Sequence, residues 1–229
     1  MKCLLAVLLF SPAAVAGVLV GNDGGDSIFC EASGAKFPES GMYVLDYAVS
    51  FPEPSQIKVE ESLTAGLDRI ERLLSEKAPQ ALPSFRSFRP TLDPAPFVET
   101  EERFWWAAER PLNNIRDEYV KVLPPNCRFK GSNSKDFGIF QQTVVRSRFK
   151  NRRLKYEYDR DFVEDYLRRQ DHTQALILFV HEWLWDFYEN DRNGAPKIRA
   201  ANAFLLSSGA ENAPGPLFRD RLFRAKAGE

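Results

Sequence analysis

Between residues 58 and 77 the apolar positions Val59, Leu63, Leu67, Ile70 and Leu74 recur with charged residues between them. Spacings of three and four place them on one face of a helix, which Pro79 stops. Upstream, Ser27–Glu31 and Met42–Val49 read as short strands joined by a turn holding Gly34, Pro38 and Gly41. Pro52 and Pro54 close that region. Leu82–Phe97 contains Pro83, Pro90, Pro94 and Pro96. That density predicts an extended connection over the surface, held down by Phe85 and Phe88. A short helix is expected around Thr100–Glu109, because Glu101 and Glu102 fall in its first turn, where the helix dipole favours acids.

Farther along, Tyr119–Leu123 and Ile139–Phe149 read as strands. Past a turn at Lys150–Arg153, Leu154, Tyr156 and Tyr158 alternate with charged neighbours, which is hairpin patterning. Three helices are then expected. Asp161 with Glu164 opens the first in the manner of a capping box, and Asp171 with Gln174 opens the second, which runs to about Glu189. Pro196 stands near the start of the third, which reaches Leu206. Strands followed by helices predict an α+β class: a small antiparallel sheet or hairpins packed with a C-terminal group of helices. The segment 209–229 is punctuated by Pro and Gly and reads as a loose tail.

The first residues add a cellular compartment. Lys2, the apolar run Leu4–Phe10 and the A-x-A pattern Ala14-Val15-Ala16 read as a secretory signal peptide over residues 1–16. An uncleaved anchor is disfavoured by Pro12 and by the small residues Ala13–Gly17, since a spanning helix needs about 20 apolar residues. Residues 17–26 then form a flexible Gly-rich leader, and 27–208 a single α+β domain. The expected location is the periplasm or the extracellular space, with no integral membrane segment after cleavage.

Cleavage removes Lys2 and no acid, leaving 30 basic residues against 32 acidic. So balanced a charge exerts no long-range pull on nucleic acid, which is disfavoured as a partner, or on membranes. It also leaves two cysteines, Cys30 and Cys127. In an oxidising compartment an even pair reads as one disulfide, with two buried thiols as the alternative. The bridge would close a loop of roughly 100 residues, worth about 4–5 kcal/mol by the chain-entropy argument.

The leader stretch GNDGGDSIF matches the calcium-binding β-roll nonapeptide at Gly21, Gly24, Asp26 and Ile28. Such turns bind calcium only as stacked copies, and this chain has one, so the leader reading stands. In Phe179–Tyr188, FVHEWLWDFY, His181-Glu182 resembles the opening of the H-E-x-x-H zinc motif. Trp185 occupies the second histidine position, and the one other histidine, His172, precedes His181 by nine residues. A metal centre would have to recruit Asp186 or Glu189, which share a helical face with Glu182. The alternative is a hydrogen-bonded core histidine, with Glu182 paired to Arg199. Arg146, Arg148, Lys150, Arg152, Arg153 and Lys155 form a basic run with no acid among residues 144–156. On a hairpin Arg146, Arg148 and Lys150 share one face, which offers docking to phosphate-rich envelope lipids, anionic glycans or glycolipid, or nucleic acid, or is simply a charged edge that resists strand pairing. Trp105-Trp106 and Trp183/Trp185 could stack sugars or complete the core. No nucleophile elbow, phosphate loop or dinucleotide fingerprint occurs.

Five segments recur together in a known group: the GN-GGD leader running into Cys30, LDY at Leu45–Tyr47, LPPNC at Leu123–Cys127, HEWLW at His181–Trp185 and IRAANAFLLS at Ile198–Ser207. In these the chain resembles a group of secreted proteins of Gram-negative bacteria without established activity. The resemblance implies export, a cysteine pair, one domain, and a shared constellation of His181, Glu182, Arg199 and Asn202. The expected function is a non-catalytic periplasmic or secreted binding or structural module, with those four residues as a polar brace. It needs no cofactor, and its partner is an envelope or extracellular component. A metal-dependent hydrolase around His181 and Glu182 is one alternative, and an anion-binding hairpin at Arg146–Lys155 another.

Overall fold

The structure, a computed structural model, describes residues 19–21, 25–51, 57–58, 61–91, 100, 102–116, 120, 122–128, 139–149, 153–168, 172–188 and 194–227. The segment 1–16, read as a signal peptide, lies outside them, as do Lys150, Arg152, Asp171 and Glu189. The order is β1 (Leu19–Gly21), β2 (Asp26–Cys30), β3 (Gly41–Val44), α1 (Leu45–Ser50), α2 (Leu63–Lys77) and α3 (Leu82–Phe88). Next come β4 (Arg103–Ala107), β5 (Asn114–Arg116), β6 (Cys127–Arg128), β7 (Ile139–Gln142), β8 (Val144–Arg148) and β9 (Leu154–Tyr158). The chain ends in α4 (Arg160–Arg168), α5 (Thr173–Phe187), α6 (Gly194–Leu205), α7 (Ser208–Asn212) and α8 (Gly215–Ala227). The class is α+β.

The strands form two sheets rather than one. The first has the order β1-β8-β9-β4 and is mixed, since β4 runs parallel to β9 while the other pairs are antiparallel. The second has the order β3-β2-β7-β5, with β6 beside β2, and is antiparallel throughout. A single bent ribbon links them. Ile139–Phe149 is broken at Thr143 into β7 and β8, one in each sheet, and the partner chain passes likewise from β1 to β2. At the bend the N–H groups of Thr143 and Val144 both donate to the carbonyl of Gly25, at 2.8 and 3.1 Å.

Helix α5 is the axis of the helical layer, and every one of its residues is buried. A helix apolar on all sides needs cover on all sides. Helices α1, α2, α3, α4 and α6 all pack against it, and Trp105 of β4 meets Phe179 edge-on at 5.5 Å. The buried apolar residues form one continuous cluster. Among the described residues no helix is long and apolar enough to cross a membrane.

Several elements depart from the sequence reading, each for a local reason. Leu45–Val49 is not strand: the chain turns straight from β3 into α1, which buries Leu45, Asp46, Tyr47 and Ala48. The Pro-rich connection begins as α3 and a 3-10 turn at Arg89–Thr91, because Pro83 sits in the first turn, where its missing N–H costs nothing. Thr100–Glu109 is not helical. Arg103–Ala107 is strand, because alternation sends Arg103 and Trp105 inward and Trp106 outward. No strand forms at Val120 or at Val122–Leu123. Helix α4 is capped by Asp159, whose carboxylate accepts from the N–H of Phe162, and not by Asp161. Helix α5 starts after His172, which has φ 48° and no side-chain cap. Gln174 is turned instead toward the N–H of Val44, at 2.9 Å.

Both ends of the chain are more structured than expected. The leader contributes β1 and the buried Gly25. The segment read as a tail forms α7 and α8, because Phe218 and Leu222, one turn apart, are buried in the common core. Lys77 holds this segment by donating to the carbonyls of Ala210 and Ala213, at 2.9 Å each.

Cys30 and Cys127 stand directly opposite each other on β2 and β6 and form the disulfide. With the two separated by 97 in sequence, replacing both by Ser should lower the unfolding free energy by about 4–5 kcal/mol. Urea denaturation of the oxidised protein reads this directly. An unchanged midpoint would show that the bridge contributes no stability.

Candidate functional site

Helix α5 carries polar side chains at His181, Glu182 and Asp186, and burial forces each of them to find a partner inside the protein. They face two different polar centres.

The first centre is built on Asp46. The direct passage from β3 into α1 places this acid in the first turn of α1, between Leu45 and Tyr47, at 2% exposure. Its Oδ2 lies 2.7 Å from Nδ1 of His181 and accepts from Nδ2 of Asn202 at 2.8 Å. Its Oδ1 accepts from Nε of Arg199 at 3.3 Å. On the far side of the ring, Nε1 of Trp185 donates to Nε2 of His181 at 2.8 Å. An indole N–H can only donate. Nε2 therefore holds a lone pair, the ring proton is on Nδ1, and the imidazole is neutral in this arrangement. Asn202 also donates to the carbonyl of Ile177 at 3.0 Å, tying α6 to α5.

The groups of this centre shift one another's proton affinity. Burial opposes ionisation of Asp46, but His181, Arg199 and Asn202 more than offset it and hold the pKa below the ordinary carboxylate value. Burial likewise opposes a charged His181, and the Asp46 carboxylate outweighs it and raises the pKa. A second proton on that ring would cost the Trp185 hydrogen bond.

The second centre lies between α5 and the mixed sheet. Asp186 accepts from Nη2 of Arg146 at 3.1 Å and from Nε of Arg103 at 3.0 Å. Arg103 also reaches Ser87 and Glu102, at 2.8 and 2.9 Å. Oε1 of Glu182 accepts the N–H of Gly25 at 2.6 Å. Among the described residues Oε2 of Glu182 and the hydroxyl of Tyr156 are buried without a hydrogen-bond partner. Burial pushes the Glu182 pKa up to about 7, against the pull of His181, Gly25 and Arg146.

The expected brace is thus rearranged. His181, Arg199 and Asn202 do converge, but on Asp46, and Glu182 faces Gly25 instead of Arg199. Asp46 went unnoticed in the sequence. Its signal was an acid enclosed by the apolar run Val44, Leu45, Tyr47 and Ala48. Glu182 and Asp186 share a face as expected, though it is an interior face. His172, nine residues from His181 on the same helix line, is about 13 Å away along the axis and cannot share a ligand with it.

The basic run is divided between the two faces of its hairpin. Arg146 is buried against Asp186 and so takes no part in an exposed docking face, while Lys150 of the expected face lies outside the described residues. Arg153 instead lies over the ring of Phe104 at 4.5 Å, and Lys155 pairs with Glu157 at 2.7 Å. Of the tryptophans, Trp105, Trp183 and Trp185 are core residues, whereas Trp106 is 53% exposed. Compared with known protein families, curated proteins and solved structures, the chain matches none.

The Glu182 pKa has a testable consequence. Its folded value lies above the ordinary 4.5, so the folded state holds an extra proton between about pH 4.5 and 7. Stability from this group is full below that window and falls as pH rises through it, by an amount on the order of 3 kcal/mol. Glu182→Gln keeps an acceptor for Gly25 and cannot ionise. Wild type should therefore lose stability relative to Glu182→Gln between pH 5 and pH 8 in paired denaturation curves. A difference that does not change with pH would contradict this.

Proposed function

We propose that the protein is an exported, non-catalytic binding or structural module whose central His181 belongs to the scaffold. The observation that carries this reading is the occupancy of the imidazole: Nδ1 is engaged by Asp46 and Nε2 by Trp185, with the whole group enclosed. A metal ligand needs a free lone pair, and a general base needs reach to a substrate proton. Neither ring nitrogen offers one here. Asp186, the other ligand that the sequence offered within the described residues, is already bound by Arg103 and Arg146. Among the described residues no group of three or more His, Cys, Asp or Glu side chains is placed to hold a metal ion.

Export rests on the signal-like first residues together with the disulfide, which persists in oxidising compartments. The shared constellation in the resembling secreted proteins then reads as a folding determinant, a buried polar network that fixes how α1, α5 and α6 meet. Such networks set geometry more than they add net stability, and they are costly to break.

The test is metal content together with stability, on oxidised mature protein purified without chelators or a histidine tag. The expected result is no stoichiometric metal, with His181→Ala lowering the unfolding free energy by roughly 2–4 kcal/mol through the orphaned Asp46 and Trp185. About one ion per chain, lost in His181→Ala, would replace this reading with the hydrolase.

A further inference from the structure

The two faces of the mixed sheet differ. The inner face carries Arg103, Trp105, Arg146 and Tyr156 against α5, and alternation sends Phe104, Trp106, Lys155 and Glu157 to the other side. On β4, an edge strand with β9 as its single neighbour, Trp106 is more than half exposed. Nζ of Lys155 sits 5.9 Å from the indole. Farther along the face, the Arg153 guanidinium covers the Phe104 ring at 4.5 Å, and that ring also stacks on Phe149, with centroids 6.2 Å apart. Both cationic heads therefore stand over aromatic rings, an attraction that favours these positions for their charges.

From this arrangement we infer that the outer face of the mixed sheet, centred on Trp106 with Lys155 and Arg153, binds an acidic saccharide. This deepens the module reading above and rests on it. The flat indole supplies the stacking surface for the C–H face of a sugar ring, while the two cations take the carboxylate or sulfate of that ring or the next. Positions 104 and 106 are about 7 Å apart along the strand, the scale of one sugar unit. Glu157 pairs with Lys155 on this face at 2.7 Å, and its carboxylate disfavours crowded polyanions there. A nucleic acid would need a series of phosphate contacts, and the near-neutral chain supplies no field for one. The basic run of the hairpin thus acts through its outward members, Arg153 and Lys155, while Arg146 belongs to the core.

The experiment is calorimetric titration of the full mature protein with a galacturonic-acid trisaccharide. Parallel arms use the neutral galactose trisaccharide, oligothymidylate and anionic phospholipid vesicles. The expected result is saturable binding of the acidic saccharide alone, weakened by salt. Trp106→Ala should weaken it about tenfold or more, and Lys155→Gln should weaken it severalfold, both with unchanged circular dichroism melts. Absence of saccharide binding, equal binding by Trp106→Ala and Lys155→Gln, or a preference for oligothymidylate or vesicles would each overturn the inference. Recovered saccharide is checked for chain length. Shortening of the chain would contradict the non-catalytic reading while leaving the binding site standing, so the two claims fail separately.

Discussion

A helix enclosed on every side cannot leave its polar side chains to water, and most of this structure follows from how α5 meets that condition. Four polar residues of α5 are answered from different parts of the chain. Asp46 answers His181, Gly25 answers Glu182, the two arginines of the mixed sheet answer Asp186, and Val44 offers its N–H to Gln174. These contacts join residues separated by as many as 157 positions. The helix is thus the common reference for the sheets and the other helices. Buried polar groups of this kind are worth little net free energy, yet they reject packings in which they would lie unpaired.

The bend at Gly25 shows the same economy on the strand side. Its carbonyl takes the N–H groups of Thr143 and Val144, and its own N–H goes to Glu182. A Cβ there would lie 2.3 Å from Cδ1 of Leu178, so only glycine allows the ribbon to approach α5 this closely. This residue lies where the two sheets divide and docks β2 onto the core. A few positions later the Cys30–Cys127 bridge clamps the other end of that strand.

What was legible in the sequence depended on how local its cause was. Helix α2 and the β8–β9 hairpin follow from side-chain period alone, and the pairing of Cys30 with Cys127 was readable because Cys3 falls within the segment read as a signal peptide. The α+β class followed from element order. By contrast, Arg103–Ala107 reads as helix locally and is strand because it gains a parallel partner, β9, some fifty residues away. The LDY segment reads as strand and is helical because Asp46 must meet His181. The leader looked flexible because Gly25 has no side chain to announce that it is buried. Arg146 looked like surface because its compensating acid, Asp186, lies 40 positions downstream. In each case the deciding partner is distant in sequence and close in space.

Asp46 is the point at which this account is most exposed. If it is the hub that seats α1 and α6 on α5, Asp46→Ala leaves a buried guanidinium, an imidazole and an amide without their shared acceptor. Equilibrium denaturation should then show a loss of about 3–5 kcal/mol, with a much smaller loss for Asp46→Asn, which retains one acceptor oxygen. A loss below about 1 kcal/mol in Asp46→Ala would contradict the claim that this buried network fixes the fold.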